Sequence, residues 1–283
     1  MQDELRTKAT DKEFLLSIID NNFELPSNID AYTFAQALLP NFGSTDSELR
    51  DDLSYMVLAR GIIDKQLLSQ ERLGNLLETV LDDQHLFYRL GSTATDAIFM
   101  RSFSNLIIAA LLFNDERNPA FDETTIQSIK RRLLQYAEQE KDWRGYIEGK
   151  GWAHALAHLS DALDECAQHP HMVESDRKEI MQQISKLASL PRALYNEEDI
   201  RLAKVPYHII LGHQVNEDFI ESWLETCTPT RDTDVISWTR VTNSKNFLRS
   251  LYFLLYWDST GAVLADQIAD QLKHLDEVYL ERR

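Results

Sequence analysis

The sequence predicts an all-α protein of stacked antiparallel helix pairs, an irregular α-solenoid or α/α superhelix of HEAT-like kind; a compact bundle is the alternative architecture. Three observations predict it. Apolar residues recur at steps of three and four along most of the chain, and no run alternates convincingly with period two. Only 9 glycines and 7 prolines occur in 283 residues, and most fall between the periodic segments. The segments are joined by short breaks at "ELPSN", "LPNFGS", "NDERNPAFD", "QHPHM", "LPRALYN" and "CTPTRDTD". The composition, 43% hydrophobic and 27% charged, is an ordinary globular mix. A chain of this length buries a core without metal or disulfide. No Gly/Ser linker interrupts it, so a single domain over 1–283 is expected.

The elements follow in order. In "SELRDDLSYMVLARGII", Leu49, Leu53, Met56, Val57 and Arg60 keep helical steps, with Thr45 and Glu48 placed as a capping box. Leu73, Leu76, Leu77 and Val80 form a stripe behind Ser69, a candidate N-cap. From Ser92 to Phe113 the pattern is long and increasingly apolar, as a central buried helix requires. Ile126, Ile129, Leu133, Leu134 and Ala137 give another helical face. A helix is expected from near Gly151 to before Pro170. Another is expected from near Ser175, with Asp176 and Glu179 in an acidic first turn, to before Pro191. Segments near 196–212, 216–226, 242–257 and 261–280 read the same way.

The formal net charge of −17 opposes nucleic acid and anionic membranes, since both bind through clustered Lys and Arg. The densest basic run, Lys130-Arg131-Arg132, lies in an amphipathic helix and is expected to be a solvated face. Cys166 and Cys227 are the only cysteines, too few for a disulfide framework or a four-thiolate zinc site. Cys166 falls on the apolar side of its helix, as a small core residue. The start, "MQDELRTKATDKEF", lacks a signal-peptide pattern. The runs "LIIAALLF" and "LYFLLYW" are too short to span a bilayer. Cytoplasmic residence is the resulting expectation.

One stretch concentrates chemistry: "WRGYIEGKGWAHALAHLSDALDE", Trp143 to Glu165. Gly145, Gly149 and Gly151 lie within seven residues, and Trp143, Tyr146 and Trp152 interleave with Arg144, Glu148 and Lys150. A glycine-rich turn before a helix exposes backbone N–H groups to an anion, or simply closes a tight interhelical turn sealed by aromatics. On a helix at about 100° per residue, His154, His158, Asp161 and Glu165 share an arc of roughly 60°. Such a stripe faces water, lines a polar pocket or binds a divalent metal through His154, His158 and Asp161. The zinc-protease motif is excluded, because Ala155 stands where its glutamate would be. No nucleophile elbow, dinucleotide loop or kinase set occurs.

These residues resemble a known family. The histidine stretch, with "RSFSNLIIAALL" at 101–112, "NEEDIRLA" at 196–203 and "LRDDLSYMVLARGI" at 49–62, resembles the bacterial domain-of-unknown-function 2785 family over roughly 45–260. The resemblance implies an all-helical fold and brings no assigned activity. It singles out Arg101, Ser102, Phe103 and Ser104; Gly151, Trp152, His154, His158 and Asp161; and Glu198, Asp199 and Arg201. Leu159 and Ser160 stand where the family pattern has smaller residues, which argues against an open pocket on that side.

The functional expectation is a ligand- or partner-binding module. Its polar concave site holds Arg101, Glu148, Trp152, His154, His158, Asp161, Glu198 and Arg201. The arginines would bind a carboxylate or phosphate, or pair with Asp161 and Glu198. The alternative is a metal-dependent hydrolase using the two histidines and a carboxylate. The sequence establishes no cofactor. The expected partner is a protein or small molecule, basic where the concave face is acidic.

Overall fold

The computed structural model describes residues 2–258 and 262–280. Among them the chain forms thirteen α-helices and one two-stranded hairpin. The all-α fold of stacked helices is the expected one. The chain divides into two compact units, Met1–His171 and Met172–Arg283, each with its own core.

The first unit begins with α1 (Gln2–Thr10), α2 (Lys12–Asp20) and α3 (Ala31–Leu38). A 3-10 turn (Leu39–Gly43) and a π-wound stretch (Glu48–Tyr55) lead into α4 (Met56–Ile63). α5 (Gln70–Val80), α6 (Ala97–Arg117) and α7 (Glu123–Gln139) follow. Strands β1 (Tyr146–Ile147) and β2 (Gly151–Trp152) then precede α8 (Ala155–Gln168). Side-chain caps start several helices: Asp11 accepts from the Glu13 and Phe14 N–H groups, Ser69 from Arg72 and Asp122 from Thr125.

α6 is the axis of this unit. It packs on α4, α5, α8 and the 3-10 turn, so a helix apolar all round finds cover on every side. By length and composition alone it could cross a membrane. Its most apolar stretch, mean hydropathy 1.5, is nonetheless 89% buried in the unit.

The second unit stacks α9 (Glu174–Ala188), α10 (Glu198–Leu211), α11 (Glu217–Thr226), α12 (Val235–Trp257) and α13 (Ala262–Leu280). The last segment was expected from 261, which lies outside the described residues. α12 contacts α9, α10 and α13. Trp223 is buried against Phe247 and donates its indole N–H to the Met181 carbonyl oxygen at 2.8 Å.

Local expectations differ in several places; the segment expected near 242–257, for one, starts at Val235, and the long helix expected from Ser92 starts at Ala97. The cap before the π-wound stretch is Asp46, whose Oδ1 accepts from the Leu49 N–H at 3.1 Å, rather than Thr45. The basic run is only in part a solvated face: Arg131 is exposed, but Lys130 is buried, and Arg132 lies over the Phe87 ring and donates to the Leu81 carbonyl oxygen. Its aliphatic stem covers apolar surface while the charge finds an acceptor. The helix expected from Gly151 starts four residues later, because Gly151 and Trp152 pair as a strand with Ile147 and Tyr146.

Candidate functional site

The glycine-rich stretch is a hairpin. Tyr146 pairs with Trp152 and Ile147 with Gly151. The Lys150 N–H closes the turn on the Ile147 carbonyl oxygen at 3.0 Å, with Gly149 at φ +71°. Gly151 needs its glycine twice. Its φ is +79°, and a Cβ there would lie 2.6 Å from Ser47 Cβ and 3.3 Å from Arg50 Nη2.

Arg50 explains the close approach. It is fully buried in the π-wound stretch, with its guanidinium 4.0 Å from the Phe99 ring centroid and 5.2 Å from that of Phe103. Nη2 donates to the carbonyl oxygens of Lys150 and Trp152, and Nη1 to that of Ser44. Asp51 balances the charge 2.7 Å from Nε. Burial pushes the Asp51 carboxyl up to about 6, the Arg50 charge pulling against it. Burial likewise lowers the Arg50 pKa.

The base of the hairpin is held from the other side. Arg101 is fully buried and forks onto Glu140, Nε to Oε2 at 2.6 Å and Nη2 to Oε1 at 2.9 Å. Its remaining donors reach the carbonyl oxygens of Tyr88, Arg89 and Ser92. Burial works against the Arg101 charge, but Glu140 more than offsets it and the pKa is raised. Glu140 also accepts from the Lys141 and Asp142 N–H groups, and Asp142 grips Arg144 and the Ala94 N–H. Arg101 was expected to bind an anion or pair with Asp161 or Glu198. Its donors are instead spent on Glu140 and backbone, which makes it a brace for the loop entering the hairpin.

Between these braces runs an aromatic series from solvent to core. Tyr146 is 49% exposed and Trp152 38%. Their rings meet at 5.0 Å and 71°. His154 stacks flat on Trp152, centroids 4.1 Å apart and planes within 5°. His158 follows at 5.6 Å from His154, then Phe103 at 5.1 Å from His158. His154 caps α8 in the left-handed conformation, φ 47°, and its carbonyl oxygen accepts from the His158 N–H.

His158 is 7% exposed and faces inward, while His154, Asp161 and Glu165 are half-buried. Ser102 Oγ donates its one hydrogen to the Ala153 carbonyl oxygen. His158 Nδ1, 2.9 Å from that oxygen, therefore donates to it. Ser102 orients an imidazole and is not poised as a nucleophile.

Asp161 is half-buried one turn beyond His158. Among the described residues no three His, Cys, Asp or Glu side chains are grouped to hold a metal. His154, His158 and Asp161, one of the alternatives for the stripe, are not grouped in that way here. The αL backbone turns His154 onto Trp152, and Ser102 claims His158 Nδ1. Leu159 and Ser160 are fully buried, so that side of α8 is packed.

The third motif lies in the second unit and is engaged there. Glu198 is buried and accepts from the Asn196 N–H at 2.6 Å, while Asp199 accepts from Ser250 Oγ. Arg201 is half-buried in α10. Cys166 and Cys227 are both buried, and burial pushes the Cys227 thiol up to about 12, far from nucleophilic use.

Sequence reasoning missed Arg50, Glu140 and Asp142, and a further buried pair. His169 Nε2 donates to Asp115 at 3.0 Å while its Nδ1 accepts from the His171 N–H, tying the end of α8 to that of α6. The "QHPH" break after an apolar helix was the available signal.

A family model described as "Protein of unknown function (DUF2785)" matches residues 86–253. The match runs from before α6 into α12 and includes the hairpin; residues 49–62, which also carried the resemblance, fall outside it. No curated protein and no solved structure matches the chain.

Proposed function

This chain belongs to the domain-of-unknown-function 2785 family, and we propose that its role is binding: a protein or small-molecule ligand docks on the hairpin face of Tyr146, Glu148, Trp152 and His154. The observation that carries the reading is the left-handed backbone of His154. A non-glycine residue there is unfavourable by about 1–2 kcal/mol. Other turns of the described residues also place non-glycine residues at positive φ, as at Arg89 and Glu197, so what marks His154 is where its ring goes. Here the strained residue carries a ring that lies flat on an exposed tryptophan. Strain of this kind gathers where a ligand surface is held ready.

Binding is favoured over hydrolysis because the Ser102–His158 contact has its serine hydrogen committed to a backbone carbonyl. The charge of −17 disfavours nucleic acid and anionic membrane as ligands. Arg101, Arg50 and Ser102 serve the site indirectly, by fixing the hairpin and His158.

The test follows the melting temperature of the full chain with a panel of cationic, anionic and neutral ligands. It is repeated on a Trp152→Phe/His154→Asn double variant, since asparagine tolerates φ > 0. A ligand at about 100 times its Kd stabilises by about 2.7 kcal/mol, enough to read as a shift. A ligand-dependent rise lost in the variant is expected. A rise that persists there places binding elsewhere and overturns the reading.

A further inference from the structure

The hairpin face has a chemistry that narrows its ligand. Tyr146 and Trp152 form a corner of two half-exposed rings at 71°. Ring faces are electron-rich and attract ammonium and guanidinium groups. The charges around the corner are cancelled in pairs, with one exception. Lys150 Nζ is bound to Asp96 at 2.7 Å, Arg144 to Asp142 at 2.6 Å and Arg50 to Asp51 at 2.7 Å. Glu148, at the turn joining the two strands, is exposed and has no ion pair among the described residues. The turn, two residues beyond Tyr146, thus carries one uncompensated carboxylate, on a chain of net charge −17. An anion meets repulsion there, and a cation meets the exposed parts of two rings next to the turn that carries Glu148.

The corner also limits the size of what it binds unaided. Small-molecule sites are concave and bury about 70–90% of their ligand. Two rings at an angle supply two walls only. A ligand held here needs contact area beyond the corner, which a larger partner provides.

We propose that the Tyr146–Trp152 corner, with Glu148, receives an arginine or lysine side chain from a basic segment of a partner protein. This rests on the reading of the hairpin as a ligand face, and it adds the class of ligand. His154 holds the Trp152 ring in place from its other side, and Arg50 fixes the strand that carries Trp152.

The experiment uses the full chain and two dye-labelled probes, a hexa-arginine and a hexa-glutamate peptide, followed by fluorescence anisotropy. It runs in about 0.3 M salt, where charges further apart than roughly 6 Å are largely screened. Tyr146→Ala removes a ring, Glu148→Gln removes the local charge, and Glu78→Gln removes one exposed charge from α5 as a control. The arginine peptide is expected to bind about tenfold more weakly to Tyr146→Ala, in line with a desolvated cation–π contact, several-fold more weakly to Glu148→Gln, and unchanged to Glu78→Gln. The glutamate peptide is expected not to bind. Equal weakening by Glu148→Gln and Glu78→Gln with no effect of Tyr146→Ala means bulk attraction, and overturns the proposal. No binding of the arginine peptide also overturns it. Binding of the glutamate peptide that is lost in Tyr146→Ala overturns the ligand class while leaving the hairpin as the binding face.

Discussion

Arg50 holds Trp152 by its backbone: Nη2 donates to the Trp152 carbonyl oxygen at 3.1 Å from 102 positions away in sequence. The contact needs the chain between them to come close, and Gly151 permits that. Gly151→Ala adds a methyl 2.6 Å from Ser47 Cβ at a positive φ. A loss of about 2–4 kcal/mol in urea unfolding is expected, from steric overlap and backbone strain together. Gly149→Ala has the same sign of φ and open space, so about 1–2 kcal/mol is expected there. Equal losses at the two positions contradict the close approach.

The Arg101–Glu140 pair is a structural brace, so its loss should register in stability. Breaking a buried ion pair by removing one partner leaves an uncompensated charge, at about 3–5 kcal/mol. Arg101→Met and Glu140→Gln are each expected to approach that loss in urea unfolding. A loss below about 1 kcal/mol in both contradicts the brace.

His154 separates backbone strain from ring stacking. His154→Gly relieves the left-handed strain and removes the ring, so stability is expected to hold within about 1 kcal/mol while ligand shifts disappear. His154→Ala keeps the strain and loses the stack, so its stability is expected to fall below that of the glycine variant. Thermal melts of the two side by side are the measurement.

Asp51 gives a pH signature. Its carboxyl rises from 3.8 to about 6 on folding, through burial. It therefore contributes stability that is complete below pH 3.8 and lost as pH rises through about 6. Unfolding free energies at pH 4 to 7 are compared with those of Asp51→Asn. The wild type is expected to lose up to about 3 kcal/mol relative to the variant across that window, at about 1.4 kcal/mol per pKa unit. A constant difference contradicts the shift.

Much of the fold was legible because helices announce themselves by period. The stripe at Leu73, Leu76, Leu77 and Val80 is buried as its spacing predicts, behind its Ser69 cap. The long apolar run was read as a buried central helix and is α6. The hairpin was not legible, since two residues per strand are too few to show alternation. Its glycines and aromatics were, and they marked the place. Arg50 was invisible for another reason: a charged residue on a periodic helix reads as surface, and only its partners reveal it as core. The same logic misassigned Arg101, where a family motif drew attention to the right residue and the wrong partner. His154 and His158 were correctly paired by spacing, but spacing carries no backbone φ. The left-handed cap that lays the His154 ring on Trp152 has no sequence signature at this level.

The central claim is that the Tyr146–Trp152 hairpin is a ligand face and not merely a tight turn. Tyr146→Ala tests it most directly, with urea unfolding and the ligand-induced melting shift read on the same sample. The account predicts unfolding free energy unchanged within about 0.5 kcal/mol, as for an exposed surface residue, and the ligand-induced shift roughly halved at a ligand concentration of about 100 times Kd, in line with a tenfold loss of affinity. A variant that loses stability by more than about 1 kcal/mol while keeping its ligand shift would make the hairpin a structural turn and contradict the account.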